Sequence, residues 1–164
     1  MIALKRLASS APDFAARLAA LLHHPAIPGF IEHGVEDGVP FLVLEHVDGV
    51  TLGALLARAR EHGDGLPIPL AVHVVAEACR GLHHAHVATD GNGMALDVVH
   101  RDVSPQNIMV GRDGEVKLLD FGVARTALQS TRTGTGVLKG KLGYMAPEHC
   151  GAEPLDRRAD VYGM

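Results

Sequence analysis

An α+β fold is what the sequence predicts, and three observations carry the prediction. Short apolar or alternating runs at residues 1–7, 27–32 and 41–45 have strand character. A longer stretch, 70–87, carries apolar residues at helical spacing. A further strand pair, 108–110 with 116–119, is closed by Arg112-Asp113-Gly114-Glu115, where Asp-Gly is a strong turn signal. At 164 residues the chain is one domain, or part of a larger one, and can bury a sizeable core.

Taken in order, the opening MIALKRL alternates apolar and polar positions as a strand does, and residues 8–11 are a small-residue connector. Pro12-Asp13 can start a helix running to about His23, with Phe14, Leu18, Leu21 and Leu22 on one apolar stripe, until Pro25 and Pro28 end it. Residues 27–32 and 41–45 read as paired strands, joined by a loop holding Gly34, Asp37, Gly38 and Pro40. Thr51 is placed to cap a helix through Arg60, because its hydroxyl can accept from an orphan amide. After a loop at 63–69, the 70–87 helix is expected to bury Val72, Val75, Ala76, Cys79, Leu82, His83 and His86. TDGNGMA at 89–95 is a polar surface excursion, and Val98–His100 is expected to be a short strand.

Composition narrows the classes. With 47% hydrophobic and 21% charged residues the chain has the makings of a globule, and a net charge of −4 without basic blocks argues against a nucleic-acid surface. Cys79 and Cys150 stand apart and outside any CxxC pattern, which argues against a disulfide framework or a zinc site. His83, His84 and His86 lack a neighbouring carboxylate or Cys to complete a metal site. Apolar runs break well before the length of a membrane span, and no export signal opens the sequence, so the cytoplasm is the expected setting, with a membrane anchor open to a longer parent protein.

The chemistry concentrates in VVHRDVSPQN at 98–107 and LLDFG at 118–122. Within them Asp102, Asn107 and Asp120 bring two carboxylates and an amide close together in the chain. These segments resemble the catalytic loop and metal-binding turn of the protein kinases, HRDxxxxN followed by DFG. With GKLGYMAPE at 140–148, the resemblance is to the eukaryotic-like (Hanks-type) serine/threonine kinases of bacteria, and it covers nearly the whole chain.

That resemblance implies a two-lobe kinase fold and a set of roles. Lys5 would grip the α- and β-phosphates, and Glu45 and Val47 would present hinge backbone groups to adenine, with Leu44 as gatekeeper. Asp102 would be the catalytic base, and Asn107 and Asp120 the magnesium ligands. Arg101 resembles the arginine of kinases controlled by activation-loop phosphorylation, with Thr131, Thr133 and Thr135 as candidate acceptors. Residues 144–148 resemble the segment that closes that loop, and 157–163 the next helix, whose Asp160 would anchor the catalytic-loop backbone. Two departures stand out. Counting back from Pro25, the position of the helix glutamate that normally pairs with the strand lysine holds Ala15. Ser104 and Lys141 stand where the family has lysine and threonine, a reciprocal exchange that would make Lys141 supply the charge and Ser104 the hydroxyl.

The implied function is a serine/threonine protein kinase fragment acting on protein substrates with ATP and Mg²⁺. Residues 1–47 would be a small-lobe remnant with hinge, and 48–164 a large lobe cut at the start of the F-helix, so the fold is incomplete. Ala15 and the lack of a Gly-rich loop favour the rival, a pseudokinase-like remnant that binds without transferring phosphate, whereas intact Asp102, Asn107 and Asp120 oppose it. A small-molecule phosphotransferase is disfavoured by the activation loop. Uncovered helix-packing surface is expected to make the 164 residues alone poorly soluble or partly unfolded.

Overall fold

The computed structural model describes residues 2–7, 12–121, 142–150 and 154–164. Its elements run β1 (Ile2–Arg6), α1 (Pro12–Leu21), β2 (Phe30–Glu36), β3 (Val39–Glu45), β4 (Gly49–Thr51), α2 (Leu52–Glu61) and α3 (Ile68–His86). A 3₁₀ turn (Pro105–Asn107), β5 (Ile108–Gly111), β6 (Val116–Leu118), a second 3₁₀ turn (Leu142–Tyr144), α4 (Pro147–Cys150) and α5 (Arg157–Tyr162) follow. The strands form two antiparallel three-stranded sheets, ordered β1-β3-β2 and β4-β5-β6. This small β-sheet part followed by helices is the α+β arrangement expected.

The first sheet differs from expectation at its hairpin. Asp37 and Gly38 have φ of 50° and 76°, the pair of positive values that a two-residue hairpin turn demands. With so tight a turn, Gly34 and Pro40 belong to the strands, and β2 begins at Phe30 rather than at Ile27. Gly34 faces Phe41, and a Cβ there would lie 2.7 Å from the ring, so glycine leaves room for the aromatic. Lys5 sits in β1 opposite Leu42, in the register that aims the strand's inward residues at α1.

The second sheet contains a strand that the sequence does not announce. β4 is only Gly49-Val50-Thr51, too short for periodicity to show, and a Cβ on Gly49 would lie 2.2 Å from the Val110 carbonyl of β5. Thr51 then caps α2 as expected, its Oγ1 accepting from Ala54 N–H at 3.2 Å. The β5–β6 hairpin turns through Gly114 at φ 88°.

α3 keeps Leu82 of the expected core face and departs from it at most other positions. Val74, Ala78, Gly81, Leu82 and Ala85 are buried, whereas Val72, Val75, Cys79 and His83 are exposed, as is Ala76. The helix is apolar around most of its girth, so periodicity alone does not choose a side. Close approach chooses it: a Cβ on Gly81 would lie 3.1 Å from the Ala26 carbonyl, and Ala78 and Ala85 keep the same face flat. The helix starts at Ile68, two residues earlier than expected, because a first helical turn tolerates Pro69.

Val74, Ala78 and Leu82 pack with Leu52, Ile108 and Leu118 into the larger core. Leu18, Leu22, Ile27, Ala85 and Val98 form a second cluster that seats α1 against the end of α3. Each fully buried Leu or Val contributes on the order of 1.5–3 kcal/mol. These clusters fix β6, and so Asp120, between α1 and the loop that follows α3.

Candidate active site

Val98–His100 is not a strand. The His100 and Arg101 N–H groups donate instead to the Asp160 carboxylate, at 2.8 Å and 2.7 Å. Asp160 lies on α5, and its Oδ2 also accepts from His86 Nε2 of α3 at 2.8 Å. A buried acid therefore holds the backbone of the loop carrying Asp102, the anchoring role that the resemblance assigns to it. Arg101 pays for this geometry with φ of 69°, a left-handed conformation that costs about 1–3 kcal/mol in a non-glycine residue.

His100 ties this loop to the Asp120 segment. Its ring is fully buried, and burial holds its pKa below 6.5 despite the opposing pull of the Leu119 carbonyl and of Asp160, Asp102 and Asp120. The partners assign the neutral tautomer: Nε2–H donates to the Leu119 carbonyl at 2.7 Å, and Nδ1 accepts from Asp102 N–H at 3.3 Å. The ring meets Phe121 edge-on, with centroids 4.7 Å apart. Leu119 N–H donates to the Asn107 carbonyl at 2.7 Å, so the two backbone groups of Leu119 engage both sides of the catalytic loop.

Asn107 Nδ2 donates to Asp102 Oδ2 at 2.8 Å and to the Asp102 carbonyl at 2.7 Å. With the amide nitrogen so placed, Asn107 Oδ1 is the oxygen turned to other duties. Asp120, at φ 71°, is exposed, and its Oδ1 lies 2.5 Å from Lys5 Nζ. Asp102 with Asn107, and Asp120 with Lys5, thus form two linked pairs joined through His100 and Leu119. A cavity of about 60 Å³ between Lys5, Asp120, Leu44 and Ala19 lies under the second pair. Ala19 is one helical turn beyond position 15, and an apolar wall stands there; among the described residues the carboxylate that meets Lys5 is Asp120.

The donor set suits magnesium with nucleotide phosphates. An amide oxygen and a carboxylate are hard ligands, and Mg²⁺ keeps water and phosphate for its other positions. Among the described residues no group of three or more His, Cys, Asp or Glu forms a closed metal cage.

The other expected residues fare differently. Glu45 ends β3, with Val47 buried just beyond it. The Glu45 carboxylate accepts from Lys117 Nζ at 2.8 Å and from Gly29 N–H at 2.9 Å. Burial alone would raise this carboxyl, but those two hydrogen bonds and the Lys117 charge hold it below its ordinary value. Ser104 is buried, and its hydroxyl has no hydrogen-bond partner among the described residues. Lys141, Thr131, Thr133 and Thr135 lie outside the described residues. Arg101 offers its carbonyl to His149 Nε2 at 3.0 Å, which ties α4 to the loop. Sequence reasoning missed His86 as a partner of Asp160 and Lys117 as a partner of Glu45. The second had a visible signal, a lone lysine in the otherwise apolar Val116-Lys117-Leu118.

A hollow of about 550 Å³ near Asp97 and Arg157 includes none of Lys5, Asp102, Asn107 or Asp120 in its walls. No described helix is long and apolar enough to cross a membrane.

The sequence itself resembles known proteins. The sequence pattern of the protein kinase domain matches residues 15–164. The chain is 41% identical over 159 residues to the tyrosine-protein kinase MasK of Myxococcus xanthus, covering 93% of the chain and 25% of MasK. It is 37% identical over 155 residues to the serine/threonine-protein kinase PknB of Mycobacterium leprae, covering 91% of the chain and 23% of PknB. With PknL of Mycobacterium tuberculosis, a serine/threonine-protein kinase, it shares 38% over 149 residues, 91% of the chain and 34% of PknL. The chain thus spans roughly a quarter to a third of these relatives. A catalytic loop held by a buried aspartate, a DFG segment tied to it through His100, and this sequence match together place the chain in the protein kinase family.

Proposed function

We propose that the chain supplies the nucleotide-handling and catalytic core of a serine/threonine protein kinase that transfers the ATP γ-phosphate to hydroxyls of a protein substrate. In this reading residues 1–47 are the small-lobe part with the hinge, and 48–164 the large-lobe part. The observation that carries it is the Asp102–Asn107 hydrogen bond at 2.8 Å, joined through His100 and Leu119 to Asp120. The backbone beside Asp120 is thus bonded to the loop that carries Asp102 and Asn107, which supports a shared role for the three residues.

Asp102 is the base that accepts the proton of the acceptor hydroxyl, its carboxylate plane fixed by Asn107. Asn107 Oδ1 and the Asp120 carboxylate would hold Mg²⁺, which neutralises phosphate charge when bound. Lys5 would turn from Asp120 to the α- and β-phosphates, and the Glu45 and Val47 backbone would meet adenine. Buried His100, whose burial disfavours protonation, keeps the Asp102 backbone in place. Ser104 and Lys141 form the exchanged pair, with Lys141 bringing the charge beside the γ-phosphate. Ser104, buried with an unpartnered hydroxyl among the described residues, supports a small polar group there in place of a long cation. One of Thr131, Thr133 or Thr135 takes the regulatory phosphate.

A second reading, a kinase-like module that binds nucleotide without transferring phosphate, is favoured by the Lys5–Asp120 pair, in which two phosphate-site charges satisfy one another. Thermal shift of the full-length protein tests the nucleotide site. Mg-ATP raises the melting temperature and ATP with EDTA does not, because ligand binding to the native state stabilises by mass action. Equal shifts with and without the metal would contradict the assigned roles of Asn107 and Asp120.

A further inference from the structure

Lys117 is a lysine in a strand whose neighbours, Val116 and Leu118, are buried and apolar. Its own side chain is only 7% exposed. The ammonium lies 2.8 Å from Glu45 Oε2 and 3.6 Å from Glu115 Oε2, so one buried cation faces two carboxylates. Glu45 ends β3 in the first sheet, and Lys117 lies in β6 of the second. The pair therefore spans the two sheets.

The same carboxylate oxygen accepts from Gly29 N–H at 2.9 Å, while Glu45 N–H donates to the Gly29 carbonyl at 2.8 Å. Glu45 is thereby held on both its backbone and its side chain. Lys117 itself lies three residues before Asp120, and its neighbour Leu118 donates its N–H to the Ala26 carbonyl at 2.8 Å. One end of this connection is the first hinge residue, and the other is the strand that delivers Asp120.

We propose that Lys117 is a positioning residue for nucleotide binding: through Glu45 it sets the hinge backbone, where adenine would lie, against the Asp120 segment. The inference rests on the kinase reading and adds a residue to it. Bulk alone does not explain a charge here. An apolar side chain of similar length would fill the slot without desolvating an ammonium, and replacing a buried ion pair by packed apolar groups is often neutral or stabilising. What an apolar residue cannot do is tie the Glu45 carboxylate, which is 40% exposed and otherwise bonded only to Gly29 N–H among the described residues, to the second sheet.

The test is steady-state kinetics of the full-length protein with Lys117→Met, Lys117→Arg and Glu45→Gln, each alongside its melting temperature. Lys117→Met is expected to raise KM for ATP by about three- to tenfold, the scale of a hydrogen bond between charged groups that is partly exposed. kcat and the KM for the protein acceptor are expected to stay at wild-type values. Lys117→Arg restores most of the ATP affinity, and Glu45→Gln, which keeps the shape of the glutamate, reproduces the Lys117→Met shift. The double variant then adds little, because both changes break one interaction. An unchanged KM for ATP in Glu45→Gln and in Lys117→Met overturns the proposal. So does a fall in kcat that follows a lowered melting temperature while KM stays fixed, since that is the signature of a structural role alone. Wild-type protein that shows no saturable dependence on ATP overturns the kinase reading as well, and so separates the two failures.

Discussion

His100 shows how one side chain can be read from its surroundings down to its proton. Its lowered pKa means that the folded state resists protonation while the unfolded chain accepts a proton near 6.5. Above that value the ring is neutral in both states and its full contribution is present. As pH falls below 6.5 the unfolded chain binds a proton that the folded chain does not, and stability declines until the folded pKa is reached. His24, also lowered by burial and by His84, acts in the same direction. Urea unfolding at about pH 7.5 and about pH 5.5 should show lower stability in acid, with a smaller difference in His100→Gln. Asp102, Asn107 and Asp120 were legible in the sequence because they stand in short motifs of fixed spacing, 98–107 and 118–122. The bond from Lys117 to Glu45 was not, because 72 residues separate its ends and no local rule connects them.

At the scale of elements, the short α5 matters through Asp160. That carboxylate accepts from His100 N–H, Arg101 N–H and His86 Nε2, so α3, α5 and the catalytic loop meet at one side chain. Asp160→Asn keeps the shape but turns an amide donor toward groups that are themselves donors. The change is expected to lower stability by about 2–4 kcal/mol, the cost of an unsatisfied buried group beside a broken charged network. Turnover is expected to fall beyond that loss, because Arg101 is then no longer held in its left-handed conformation. Denaturant unfolding combined with kinetics at saturating ATP checks both effects. The hairpin of β5 and β6 and the cap on α2 were readable from Asp-Gly and Thr, whose physics is local. The buried face of α3 was not, because several of its sides are apolar and its packing against Ala26 is a tertiary fact. The catalytic-loop segment 98–100 was mistaken for a strand for a similar reason, since its donors find a carboxylate 60 residues away.

Across the whole molecule, the two sheets meet where nucleotide would sit, and Lys5 with Asp120 spans that meeting. Both side chains are partly exposed, at 25% and 45%, so the pair contributes little to stability, about 0–1 kcal/mol. Lys5→Met is therefore expected to leave the unfolding midpoint nearly unchanged while removing most of the stabilisation by Mg-ATP, a contrast that thermal shift reads directly. Loss of the midpoint itself would assign Lys5 to the fold. The two-part architecture was foreseeable from runs of strands and a long helix, whereas the pairing of Lys5 with Asp120 follows from the apolar wall on α1 and was not.

Phosphate transfer itself tests the central claim most directly. The full-length protein, incubated with Mg²⁺ and γ-labelled ATP, is expected to label a generic basic acceptor protein on serine or threonine. Asp102→Asn should reduce that labelling by about 10²–10⁴-fold, the usual contribution of a positioned base, while Mg-ATP binding is retained. Equal labelling by the wild-type protein and Asp102→Asn, or none by the wild-type protein, would contradict the account.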